Sequence, residues 1–115
     1  MGMWKTVKVE KGIGFAVFFE RLYERSWGYM GMSDRASWEP EDKFELQIAT
    51  PDEYGKVTNC GDDNIRVLDL TKDDANKIWY NLKHREFTLN EFLSCLEKDG
   101  KVLRDAFGKE LKEAV

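Results

Sequence analysis

The alternation of apolar and polar positions opens the chain as a strand. Trp4 and Thr6 fall on one side and Val7 and Val9 on the other, which predicts a strand over about 4–10. Gly12 and Gly14 interrupt it. From Phe15 the apolar residues recur at Phe15, Phe18, Phe19, Leu22, Tyr23, Trp27 and Met30, spacings of three and four that predict a helix over 15–27. The β-formers between Phe15 and Phe19 keep a strand as the competing reading of that stretch. Gly28 and Gly31 end the element, and residues 28–43 follow no period, so they read as an irregular connection.

Phe44, Leu46 and Ile48 then alternate with Glu45 and Gln47, the clearest half-buried strand in the chain, at about 44–49. Turn residues at Pro51–Gly55 and Gly61–Asn64 separate it from two further expected strands at about 56–60 and 65–70, giving an antiparallel meander. Thr71 with Asp74 makes a capping-box start for a helix over about 72–84, whose inner stripe is Ala75, Ile78, Trp79 and Leu82. Thr88 with Glu91 is a full capping box for a helix over about 89–98, stopped by Gly100. Val102, Leu103, Ala106, Phe107, Leu111 and Ala114 suggest one more helix at about 102–114. The expected fold is α+β: a small antiparallel sheet packed with an N-terminal helix and three C-terminal helices. Residues 1–115 form a single domain, with no repeat or linker.

Composition makes this a packed globule. The 115 residues are 42% hydrophobic and 13% aromatic, too apolar for disorder, while 35% charged residues supply the surface. Lys and Arg number 18 against 22 Asp and Glu, a net charge of −4 that gives no whole-chain attraction to phosphate backbones. Two cysteines, Cys60 and Cys95, without a Cys-x-x-Cys spacing, read as reduced thiols. The first residues lack the apolar run of a signal peptide, and no stretch approaches the ~20 apolar residues of a membrane helix, so a cytoplasmic protein is expected.

The chemistry of common active sites is missing from the pattern. Gly12-Ile13-Gly14 has Val17 where a dinucleotide fingerprint needs its third glycine, so it reads as a turn. The single histidine, His84, cannot build a His-based zinc centre and suits the end of its helix. Residues 80–91 put Tyr80, Leu82 and His84 where a calcium loop needs oxygen ligands. No nucleophile motif occurs, and a helix-turn-helix drawn over 72–98 would present an acidic recognition helix. No catalytic residue, metal or cofactor is expected.

Eight of the fifteen aromatics lie within 15–44, and Tyr29, Met32, Arg35 and Trp38 stand in the Gly-bearing stretch that no core pattern claims. Aromatics, Met and Arg are enriched at protein interfaces. With the carboxylates Glu39, Glu41, Asp42, Asp62 and Asp63 they form the candidate partner-binding set. The leading expectation is a small acidic protein-binding module. By analogy of size and charge it suits an inhibitor or antidote protein, such as the immunity proteins of bacterial toxins and phage anti-defence proteins, acting on a basic nucleic-acid-binding protein or nuclease. The alternatives are a nucleic-acid-associated regulatory protein and a structural subunit of a larger, homo-oligomeric assembly.

Overall fold

The structure, a computed structural model, describes residues 2–27, 36–59, 61, 63–98 and 103–104. Four long strands lead the chain: β1 (Gly2–Gly12), β2 (Phe15–Trp27), β3 (Ala36–Ala49) and β4 (Ile65–Thr71). Two helices follow, α1 (Lys72–His84) and α2 (Leu89–Lys98), and then a two-residue strand β5 (Leu103–Arg104). All strand pairs are antiparallel and lie in the order β1-β2-β3-β4-β5, a plain meander.

Glycine sets the first reversal. Gly12 pairs with Phe15 across a two-residue turn in which Gly14 has φ 77°, a left-handed conformation that side chains disfavour. A Cβ on Gly12 would lie 2.1 Å from the Phe15 ring, so only glycine fits there. The turn presents Phe15, Val17 and Phe19 to one face of the sheet, beside Phe44, Leu46 and Ile48 of β3 and Val67 of β4. The helices cover that face with Ala75, Ile78, Leu82, Phe92, Leu93 and Leu96, and Phe87 between them completes a single buried cluster. Phe92 packs on Phe15 at 5.5 Å and on Phe87 at 6.0 Å between ring centroids. Each such ring pair adds about 0.5–1.5 kcal/mol beyond its buried area.

Both helices start on their capping boxes. The Thr71 hydroxyl accepts from the Asp74 amide at 3.2 Å while Asp74 accepts from the Thr71 amide at 3.4 Å. The Thr88 hydroxyl accepts from the Glu91 amide at 3.3 Å, and the Glu91 carboxylate takes the Thr88 amide at 3.1 Å. These bonds hold the Glu91 carboxyl below the ordinary glutamate value of 4.5, the Thr88 backbone first and its hydroxyl second.

Four expectations need correction. Residues 15–27 are the central strand β2, not a helix. Its apolar residues mimic helical spacing because they occupy both faces: Phe15, Val17 and Phe19 lie under the helices, while Phe18 and Leu22 lie half-buried on the other side, between the buried Ala16 and Glu20. A strand buried on both faces loses its period of two. Residues 36–43, expected within an irregular connection, belong to β3, which pairs with β2 out to Trp27↔Ala36; residues 28–35 lie outside the described residues.

The expected strand at 56–60 is absent among the described residues; Lys56 to Asn59 belong to a connection bonded by side chains. The Asp52 carboxylate accepts from the amides of Tyr54 and Lys56 at 2.8 and 2.9 Å, and Asn64 donates to the Thr58 carbonyl at 2.7 Å. Finally, Leu103 and Arg104 pair with Val67 and Arg66 as β5 rather than opening a helix at 102–114, the rest of which lies outside the described residues. Among the described residues the helices are therefore two, and none of them is N-terminal.

Candidate functional site

The two longest strands outrun their neighbours. β1 follows β2 only as far as Gly2↔Glu24, and β4 follows β3 only from Lys43↔Thr71. Beyond those points, among the described residues, β2 and β3 continue alone to Trp27↔Ala36, as a two-stranded arm. Its base is fastened by Arg21, which donates from Nε to the Glu41 carbonyl at 2.8 Å and from Nη2 to Asp42 Oδ1 at 3.0 Å. The guanidinium also lies 5.2 Å from the Phe44 ring centre. Next to Arg21 the pairing slips, setting Tyr23 opposite Pro40, a residue with no amide to give to a ladder.

On the arm Trp38 lies opposite Arg25, and at its base, where β1 ends, Glu39 lies opposite Glu24. Trp38 is 36% exposed and takes no part in the buried cluster. Glu39, Glu41 and Asp42 are exposed further along the same strand. The structure thus gathers Trp38, Glu39, Glu41 and Asp42 on one element. Asp63 is not with them: it precedes β4 at the opposite end of the sheet, about 20 Å from Asp42 and about 33 Å from Trp38 along β3 at the usual rise per residue. Tyr29, Met32, Arg35 and Asp62 lie outside the described residues.

Sequence reasoning missed a second region, on the sheet face that the helices leave open. Glu20 and Glu45 are direct cross-strand neighbours there, only 3% and 5% exposed. Arg66 Nη2 holds both Glu45 oxygens at 2.7 and 2.8 Å. Glu20 is held by neutral donors: the Thr6 hydroxyl lies 2.8 and 3.0 Å from its two oxygens, and Asn59 Nδ2 donates to it at 3.2 Å and to Thr6 at 2.8 Å. The Arg66 Nε is buried without a hydrogen-bond partner.

Alongside this polar row runs an open groove of about 600 Å³, lined by Trp4, Leu22, Leu68, Asp69 and the Glu45–Arg66 pair, with Asp42 at its arm end. Asp69 has φ 59°, a strained conformation for a residue with a side chain, at the irregularity where Leu68 and Asp69 both oppose Glu45. In the sequence Glu45 and Arg66 look like ordinary solvent-side members of alternating strands. The strained backbone at Asp69 has no sequence signal.

The helix-side face holds a smaller cleft, about 220 Å³, between β1 and α1, lined by Lys8, Arg21, Lys72, Asn76 and Trp79 among others. Trp79 is half-buried at its edge. Its indole N–H donates to Glu10 Oε1 at 2.9 Å, and the Lys8 and Lys83 ammonium groups lie 3.5 and 4.9 Å from the ring centre. Among the described residues no three His, Cys, Asp or Glu side chains gather as metal ligands, and no helix is long and apolar enough to cross a membrane. Comparison with protein-family models, with curated proteins and with solved structures finds no match.

Proposed function

We propose that this chain is a protein-binding module whose contact surface is the β2–β3 arm together with the groove at its base. The observation that carries the reading is Trp38. A large indole stands 36% exposed, outside the cluster that holds the fold, on the strand that also carries the exposed carboxylates Glu39, Glu41 and Asp42. A rigid aromatic anchor within a charged rim is the usual make-up of an interface hot spot. The carboxylates favour a partner with a basic surface, such as a nucleic-acid-binding protein or nuclease. On such a partner they would stand in for phosphates, as an inhibitor or antidote protein uses them. Cys95 is a free thiol, which suits the reducing, cytoplasmic setting this reading carries.

The test uses immobilised chain and its Trp38→Ala variant, with bound proteins from the native host identified by mass spectrometry. A partner retained by the parent and lost by the variant at unchanged melting temperature supports the reading. Equal retention by both removes Trp38 from the interface.

A nucleic-acid role is the second reading, favoured by one observation: Lys8, Arg21 and Lys72 converge on the β1–α1 cleft. It requires salt-sensitive binding of an oligonucleotide that Lys8→Ala with Lys72→Ala weakens, and salt-insensitive or absent binding rejects it.

A further inference from the structure

We propose that β1 is the edge along which two copies of this chain pair, in one antiparallel register centred beside Val7. β1 ends the sheet, and among the described residues no strand pairs with its outer side. It is 11 residues long without proline, and its Trp4, Val7 and Val9 are 43%, 39% and 46% exposed. Such an edge is a ready template for a further strand. Lysines and bulges are the usual guards against indiscriminate pairing, and β1 has both: Lys5, Lys8 and Lys11, and a register shift between Thr6 and Lys8. Here the guards select a register.

In a two-fold antiparallel pair, opposed residues are equidistant from the axis and must point to the same face. The shift at Val7 alters which residues share a face. Trp4 and Thr6 pair with Leu22 and Glu20 on the open face, and so do Val9 and Lys11 with Phe18 and Ala16. Lys5, Lys8 and Glu10 pair with Arg21, Phe19 and Val17 on the helix side. Faces stay matched along the whole strand only when the axis lies next to Val7, either before or after it.

The axis before Val7 sets Lys5 against Lys8 twice, and like charges directly opposite repel. The axis after it sets Lys5 against Glu10 twice, Trp4 against Lys11 twice and Thr6 against Val9 twice. Opposite charges and a lysine beside an indole are both favourable. Glu10 is already fixed for this role by the Trp79 N–H on its Oε1 at 2.9 Å. Self-complementary charge therefore names a second copy as the occupant, and the product is a sheet continuous across both copies.

Sedimentation of the full chain over a concentration series tests this with Lys5→Glu, Glu10→Lys and their equimolar mixture. The parent should dimerise, each variant alone should do so roughly tenfold more weakly or worse, and the mixture should recover dimer, because only unlike variants restore both charge pairs. Because Glu10 also anchors Trp79, hydrogen exchange of the parent supplies an independent readout: β1 amides should gain protection as concentration rises. A parent that stays monomeric, a mixture that does not recover, or β1 exchange independent of concentration overturns the proposal.

Discussion

Replacing Arg66 with methionine should destabilise the fold by about 2–4 kcal/mol. The change leaves the Glu45 carboxylate, on a side chain 7% exposed, without the nitrogen that now holds both its oxygens at 2.7 and 2.8 Å. Its cross-strand neighbour is Glu20, buried at 3% and held by neutral donors, and among the described residues Arg66 is the cation bonded to Glu45. Removing one partner of a buried ion pair costs about 3–5 kcal/mol; the Arg66 side chain is 31% exposed, so solvent screening lowers that figure to the range given.

Urea denaturation at neutral pH reads the effect. With a slope of about 1.5 kcal/mol per molar, the midpoint should fall by roughly 1.3–2.7 M at unchanged slope. Arg66→Met combined with Glu45→Leu should recover most of the loss, because two apolar groups then replace a stranded charge. A single-variant loss below about 1 kcal/mol, or a double variant no more stable than Arg66→Met, would refute the claim that the pair acts as a buried unit.

Other outcomes follow from the same contacts. Gly12→Ala sets a methyl 2.1 Å from a buried Phe15 ring and should cost about 1–3 kcal/mol by chemical denaturation; an unchanged midpoint would mean the turn relaxes freely. Trp79→Ala should cost about 2–3 kcal/mol, less than a core tryptophan because the ring is half-buried, whereas Trp79→Phe should lose about 1 kcal/mol with the bond to Glu10. The Glu91 carboxyl is held below 4.5 in the fold, so its stabilising effect is full above the unfolded value and is lost as pH falls through the lowered one. Thr88→Ala keeps the backbone amide that is the larger cause and removes only the hydroxyl, so it should move the Glu91 titration part of the way upward by NMR and flatten that acid limb, and an unmoved titration would show that the hydroxyl does not contribute.

Residues close together in the chain announce the parts whose physics is local. Thr71 with Asp74 and Thr88 with Glu91 announce two helix starts because a cap is made by residues three apart. Phe44, Leu46 and Ile48 announce a strand because only one of its faces there is apolar. Tertiary structure decided what β2 is. Phe15, Phe18, Phe19 and Leu22 satisfy helical spacing as well as a strand buried on both faces, and the choice falls to pairing with β1 on one side and β3 on the other.

Long-range pairing likewise made residues 36–43 part of a strand, which carried Trp38 onto an arm with its carboxylates at the base and left Asp63 at the far end of the sheet. It also put Glu20 beside Glu45 and brought Arg66 and Asn59 to them, from residues 21 and 39 positions away along the chain. Side chains that distant share no sequence period. Their meeting depends on register, which only the assembled sheet fixes.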